Sequence, residues 1–256
     1  MVKFEIVDQV AKITLNRPDR FHAVVREMAL ELQRLLDECQ DNNEIKAVLI
    51  TATGKAFCAG QDLAEAQDPT KVNLTKMVQE HYNPLIKKIR GLKKPVVAAV
   101  NGVAAGAGAS LALCCDIVVA NENASFIQAF SKIGLIPDSG GTFFLPRLVG
   151  MQRASALMLT ADSVSAQEAL EMGMIYKVFN NEEFESKTWQ MVSKLAKMPT
   201  KGLALTKELL NCSYSNTLDQ QLDMEEKYQT EAGNTYDFKE GIQAFLEKRE
   251  PKFKGE

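Results

Sequence analysis

Between Asn101 and Gly150 the chain carries three acidic residues, Asp116, Glu122 and Asp138. Asp138 lies in GLIPDSGGTFFLPRLVG, between apolar Leu135-Ile136-Pro137 and a Ser139-Gly140-Gly141 turn, with Thr142-Phe143-Phe144-Leu145 beyond. An acid in an apolar pocket gains proton affinity, because desolvation disfavours the carboxylate. Such a group can take up a proton and return it near neutral pH. An Asp at a bend also caps turns and helix starts, so a catalytic and a turn-capping reading stand side by side. Asp116 opens a strand and Glu122 sits in the polar loop Asn121-Glu122-Asn123, which leaves Asp138 as the candidate acid of this region.

Two small-residue stretches could supply backbone donors. GVAAGAGASLALCCD (Gly102–Asp116) places Gly106 and Gly108 at the first two positions of a G-x-G-x-x-G pattern, but Leu111 takes the third, which argues against a nicotinamide site. A strand-to-helix turn of small residues exposes N–H groups beside a helix N-terminus, where an oxyanion could develop. Close packing of the helix on a sheet would use the same alanines and glycines. GKAFCAGQDL (Gly54–Leu63) is a second such loop and does not have Walker spacing. An ordinary connection is its plain reading, and Cys58 is a weak nucleophile candidate, with neither histidine near it in sequence.

These stretches need elements to position them. Phe4 to Leu15 alternates as two short strands with a bend at Asp8-Gln9. Val25, Met28, Leu32, Leu35, Leu36 and Cys39 recur at helical spacing, which predicts an amphipathic helix over roughly 24–40. Ala47–Ile50, Pro95–Val100 and Ile117–Ala120 read as buried strands, and Thr53–Leu63 as loop. Thr75–Leu92 reads helical, with Pro84 expected to kink or break it. Beyond Gly150, helices are predicted near 151–159, 165–172, 182–197, 201–211, 217–232 and 236–248. Strand-helix alternation up to about residue 180 argues α/β with a buried sheet. The helices that follow have little sheet left to cover, and a tail of that kind commonly packs on a neighbouring subunit.

Composition bounds the rest. The chain has 256 residues, 46% hydrophobic and 25% charged, enough for one large domain, or one domain with a helical extension. A net charge of −3 without a basic block argues against nucleic acid. No apolar run is long enough to span a membrane, and MVKFEIVDQV lacks a signal-peptide core. Five scattered cysteines suggest reduced thiols in a cytoplasmic protein, with Cys114 and Cys115 in buried structure, and two histidines make a metal site an unpromising expectation.

Taken together, LNRPDRFHAV, FCAGQDL, KKPVVAAVNGVAAGAG and AFLEKREPKF resemble the crotonase (enoyl-CoA hydratase/isomerase) superfamily, over essentially the whole chain. AFSKIGLIPDSGGTFFLPRLVG looks most like its phenylacetate-pathway branch, the ring-1,2-epoxyphenylacetyl-CoA isomerases. The resemblance implies an α/β, ClpP/crotonase-like fold of repeated ββα units. Its spiral core would cover residues 1–195, and a helical region over 196–256 would pack on neighbouring subunits in trimers or in hexamers made of two trimers. It implies an acyl-CoA substrate and no cofactor, since CoA is part of that substrate. The thioester oxygen would lie between the backbone N–H groups of Gln61 and Ala107. Phe57, Cys58, Ala59, Asp62 and Leu63 would line the CoA arm, flanked by Arg20 and Ala23. Phe245 and Lys248 would approach the adenine end from a neighbouring subunit. His22 stands where the family usually has Asn and reads as structural, and Lys55 as a solvated lysine.

The departures from the hydratase pattern matter most. Where classical hydratases carry two glutamates, this chain has Ser110 and Phe130, both facing the substrate by position. One carboxylate suits moving a proton between carbons better than adding water. The dehalogenase branch also has an Asp at this site, but its histidine and Trp are here Asn83 and Phe130. The expectation is therefore an isomerase in which Asp138 shuttles a proton, with Phe130, Ile136 and Phe143 keeping the site dry. The substrate would be ring-1,2-epoxyphenylacetyl-CoA or a Δ3-enoyl-CoA. A 2-enoyl-CoA hydratase and a non-catalytic acyl-CoA- or RNA-binding homologue are the alternatives.

Overall fold

The computed structural model describes residues 1–66 and 73–256. Val2–Val7 (β1) and Val10–Leu15 (β2) pair antiparallel across Asp8 and Gln9, whose φ angles of 48° and 67° suit a two-residue hairpin. Helix α1 (Arg26–Asp41) buries Met28, Ala29, Leu32, Leu35, Leu36 and Cys39, the stripe expected from the spacing. Strands β3 (Ala47–Ala52) and β4 (Ala56–Cys58) follow, then α2 (Leu63–Ala66), α3 (Leu74–Met77) and α4 (Asn83–Gly91). Next come β5 (Val96–Val100), β6 (Val103–Ala105), α5 (Ala107–Leu113), β7 (Ile117–Asn121) and β8 (Ser125–Ile127). After a 3-10 turn at Ala129–Ile133 come α6 (Gly141–Val149), α7 (Met151–Thr160), β9 (Ser163–Ser165), α8 (Ala166–Glu171) and β10 (Lys177–Phe179). Helices α9 (Phe184–Ala196), α10 (Thr200–Cys212), α11 (Leu218–Gly233) and α12 (Tyr236–Glu247) complete the chain.

The strands form two sheets. The larger runs β1-β2-β3-β5-β7-β10 and the smaller β4-β6-β8-β9. Each consecutive pair, β3-β4, β5-β6 and β7-β8, gives one strand to each sheet before the chain turns into helix, which is the repeated ββα unit. Strand alternation explains the double-sided core. Val48, Ile50, Val96, Ala98 and Val100 face one apolar cluster, shared with Phe57, Ala104 and Phe126 of the second sheet. Ala47, Leu49, Val97 and Ala99 face another, closed by Phe184, Val192 and Ala196 of α9.

Three local readings change. The stretch read as loop over Thr53–Leu63 contains β4, and the glycine-alanine turn after Gly102 contains β6; strands of three residues carry too little alternation to show in sequence. Helix α6 was not expected, because Pro146 lies inside it and its apolar residues do not form a single stripe. Pro84 does not break its helix. The chain passes from α3 through a wide π-helical turn at Val78–Tyr82 straight into α4. In an α-helix residue 84 would donate to the Glu80 carbonyl, which a proline cannot do. Gln33 of α1 supplies the donor: its Nε2 bonds Glu80 O at 2.8 Å and His81 O at 3.1 Å.

Gln33→Met removes this donor from the half-buried Glu80 and His81 carbonyls and is expected to destabilise the protein by about 0.5–1.5 kcal/mol. Urea unfolding with an unchanged m-value measures this, and a variant as stable as wild type would show that the carbonyls never needed Gln33.

Candidate active site

Strands β4, β6 and β8 are parallel neighbours in the smaller sheet, so their carboxyl ends lie side by side. Ligand crevices in α/β sheets form at such ends. The chain leaving β4 enters Ala59-Gly60-Gln61, the chain leaving β6 enters Gly106-Ala107, and the chain leaving β8 runs on to the bend at Asp138. Sheet topology thus gathers the three sequence stretches with chemical potential.

The first two turns touch. A Cβ added at Gly108 would sit 2.2 Å from the Cys58 carbonyl oxygen, and one at Gly60 would sit 2.9 Å from Ala105 O and 3.3 Å from the Ala107 nitrogen. Side chains at either position would force the turns apart. Gly106, at φ 53° and ψ −127°, occupies a region open to glycine and turns the chain into α5, whose residues are all buried. The close packing of the two turns therefore also brings the two candidate amides, Gln61 and Ala107, together. Val24 donates to Gly60 O at 2.7 Å and accepts from Asp62 N at 3.0 Å, a ladder that turns the intervening Gln61 N–H away from Val24. Ala107 is the first residue of α5, where N–H groups lack intrahelical acceptors. Among the described residues, neither amide donates to a protein acceptor.

Asp138 is half-buried. Ser139, at φ 53°, and Gly140, at φ 74°, carry the chain through a left-handed turn closed by Gly141 N–H donating to Asp138 O at 2.8 Å. Burial pushes the Asp138 carboxyl above its ordinary pKa, and Ser139 Oγ, donating to Oδ1 at 2.9 Å, only partly opposes this. Tyr82 lies close enough for the Asp138 charge to help raise its phenol, after burial and Cys58. The other two acids are committed elsewhere. Asp116 accepts from Arg90 at 3.0 Å, from Lys207 at 2.8 Å and from Val96 N–H at 2.8 Å, and Glu122 accepts from Asn181 N–H at 2.8 Å.

Side-chain bonds pin the loops. His22 Nδ1 accepts from Arg17 N–H at 2.9 Å while Nε2 donates to Thr53 O at 2.7 Å, and Asn101 Nδ2 donates to Gly54 O and Ala56 O. Burial raises the Asp62 carboxyl, but Arg17 at 2.6 Å and the Ala64 N–H outweigh it and hold the pKa below the ordinary value.

The residues expected along the CoA arm divide. Ala59 and Leu63 are exposed, as is Arg20, while Ala23 is buried beside them. Phe57 and Cys58 have fully buried side chains, so only their main chain can meet a ligand. The Cys58 thiol donates to His22 O at 3.3 Å and burial pushes its pKa up to about 11, which removes it as a nucleophile. Asp62 serves the loop through Arg17. Ser110 is buried under the Asp138 turn, and the Phe130 ring lies about one van der Waals contact from Gly106, 3.9 Å from an added Cβ. Ile136 is 81% exposed and Phe143 48%, the latter under the Arg147 guanidinium, so in a single chain neither shields the site as expected. Phe245 and Lys248 lie at the exposed end of α12. Sequence reasoning missed Tyr82 and Glu65. Tyr82 lies in the stretch read only as helix, and Glu65 lay outside the stretch searched for acids.

The geometry defines an α/β enzyme with paired amide donors and one desolvated carboxyl. Residues 5–256 match the enoyl-CoA hydratase/isomerase family model. The chain is 47% identical over 249 residues to the 1,2-epoxyphenylacetyl-CoA isomerase of Escherichia coli K12, covering 96% of this chain and 95% of the relative. It is 43% identical to a Rhodobacter capsulatus protein named "Probable enoyl-CoA hydratase", covering 99% and 98%. Among solved structures, an enoyl-CoA hydratase from Polaromonas sp. JS666 superposes with a TM-score of 0.93 at 37% identity, covering 98% of this chain and 99% of that one. The chain belongs to the enoyl-CoA hydratase/isomerase family and has the crotonase fold. Among the described residues no helix is long and apolar enough to cross a membrane.

The loop pins carry a pH signature. His22 and His81 are the chain's two histidines, and burial pushes both below their ordinary pKa. The unfolded chain, titrating near ~6.5, therefore takes up protons first as pH falls. Their support is full above that value and is lost as pH drops through the lowered folded values. The raised pKa of Asp138 acts in the opposite sense, so the comparison belongs in an Asp138→Asn background. There the urea midpoint is expected to fall from pH 7 to 5.5, and His22→Gln to flatten that fall; an unchanged slope would mean that His22 is not held neutral.

Proposed function

We propose that this protein is an acyl-CoA isomerase acting through a thioester enolate, with ring-1,2-epoxyphenylacetyl-CoA as substrate and seven-membered oxepin-CoA as product. The observation that carries the reading is the single desolvated carboxyl of Asp138 beside the two amide turns, with Ser110 and Phe130 where hydratases carry glutamates. The Gln61 and Ala107 N–H groups polarise the thioester carbonyl, which acidifies the adjacent C–H and holds the enolate oxygen. Asp138 takes the proton. With a Δ3-enoyl-CoA it returns the proton to C4, giving the Δ2 isomer. With the epoxide, the C–C bond shared by the oxirane and the six-membered ring breaks as the ring widens, and Asp138 returns the proton taken from the side-chain CH2 to a ring carbon, so that the product is an isomer with no atom gained or lost. The Escherichia coli relative's name supports the substrate. No cofactor enters this chemistry. The Phe57–Leu63 loop with Arg20 and Ala23 takes the CoA arm, through main chain at Phe57 and Cys58. Trimers, single or paired, would cover the exposed apolar face of α12, where Phe245 is 83% exposed, and would bring Lys248 toward a neighbour's adenine.

A second reading rests on a different observation. Ser110 Oγ and Gln128 Oε1 are buried without a protein partner among the described residues, and both converge on Gly141, at 2.8 Å and 3.5 Å from an added Cβ. A water held there beside Asp138 would favour 2-enoyl-CoA hydration, the activity named in several relatives.

Asp138→Asn is expected to lower isomerase kcat by ~10²-fold or more while CoA binding stays unchanged and the thermal midpoint does not fall. Retention of more than about a tenth of wild-type kcat would refute the shuttle. The wild-type kcat/KM on a 3-enoyl-CoA should fall with acid through an inflection above the ordinary Asp value of ~3.9. Faster turnover of crotonyl-CoA than of a 3-enoyl-CoA or the epoxide would select the hydratase instead.

A further inference from the structure

The side chain of Gln61 is tied at both ends. Its Oε1 accepts from Tyr82 Oη at 2.8 Å, and its Nε2 donates to Glu65 Oε2 at 3.0 Å. A carboxylate accepts only and Nε2 donates only, so the pair of bonds fixes the orientation of the amide. Glu65 is itself held, since its Oε1 accepts from the Arg26 N–H at 3.3 Å, at the first residue of α1. Tyr82 cannot swing, because it is buried at the wide turn between α3 and α4. The main chain of Gln61 is fixed by the ladder to Val24. Residue 61 is therefore restrained from three directions, and its N–H is not used by the ladder to Val24.

We propose that Tyr82 and Glu65 are positioning residues for the oxyanion site, holding the Gln61 N–H in place through the Gln61 side chain. The inference rests on the reading that the Gln61 and Ala107 amides receive the thioester oxygen. Such donors act by already pointing at the place where charge will develop, so they need not reorganise during the reaction. Gln61 lies in a turn two residues before α2, where the main chain is held by Val24 and by the packing of Gly60 on Ala105 and Ala107. A long side chain there would ordinarily be a source of motion. Anchored at both ends, it becomes a brace. If Tyr82 were only a core aromatic, its hydroxyl would need some acceptor, and any nearby carbonyl would serve; the acceptor is instead the side chain of the residue whose amide matters.

The test uses the full-length protein with phenylacetyl-CoA carrying 13C at the thioester carbonyl, and isomerase kinetics on a 3-enoyl-CoA. Bound to wild type, the carbonyl resonance is expected to move downfield from its free position. Tyr82→Phe is expected to shrink that displacement and to lower kcat by about tenfold, less than the ~10²-fold or more for losing a donor outright, with KM within about twofold. Gln61→Ala, which keeps the N–H, should give a similar loss, and Tyr82→Phe with Gln61→Ala should lose no more than either alone, because both cut the same brace. If Tyr82→Phe fails to fold, Glu65→Ala cuts the other end and is held to the same expectation. A carbonyl displaced equally in variant and wild type, with kcat within about twofold, overturns the proposal, as do additive losses in the double variant. A carbonyl not displaced even in wild type overturns the assignment of the two amides, and the brace with it.

Discussion

The site depends on how closely the start of α5 approaches the end of β4. Glycine at position 108 lets the helix lie against the Cys58 carbonyl, where any side chain would overlap it at 2.2 Å. That approach sets Ala107 beside Gly60 and gives the two amides their spacing. The parallel order β4-β6-β8 then fixes where the third strand end delivers the Asp138 bend. The placement of the two amides is here a by-product of packing two backbones with nothing between them. It follows that α5 is made of small residues and is buried along its whole length.

Loops that leave strand ends lack ladder bonds of their own, and polar side chains take their place. His22, Asn101 and the Arg17–Asp62 pair each tie one loop to another. At the back of the sheet, Asp116 collects Arg90, Lys207 and the Val96 N–H, which fastens α10 to β5 and spends an acid that stands near the active turns in sequence. Buried polar groups without a partner are costly. Ser110 Oγ and Gln128 Oε1, under the Asp138 turn, are two of the few that the chain tolerates.

Much of this was legible in the sequence. Unbroken apolar runs such as Ala47–Ile50 and the stripe from Val25 to Cys39 exposed strands and helix because one physical variable, burial, controls each position. Asp138 stood out because its neighbours are apolar, and the same desolvation raises its pKa in the folded chain. The paired amide turns were legible as glycine and alanine punctuation, although only the folded chain shows that their approach depends on Gly108. Ile136 and Phe143 misled because apolar character does not say which face a residue takes, and in the folded chain both lie at the surface. Tyr82 and Glu65 were invisible for another reason. Their partner, Gln61, is about twenty residues from one and four from the other, and no local pattern records a bond between a helix and a turn.

The wide turn at Val78–Tyr82 also has a genealogical side. A π-helical turn is an α-helix holding one residue too many, so side chains beyond it are rotated by about 100° from where an uninterrupted helix would put them. The segment is a splice of two registers. Met77 packs inward under the first, Leu85, Ile86 and Ile89 under the second, and His81 and Tyr82 are buried at the seam between them. A relative lacking that one residue would keep the sheets, the amide turns and the carboxyl, yet its phenol would face another way. Changes in selectivity within such a fold can then come from length rather than chemistry, through a single codon gained or lost in a helix that contributes no reacting group.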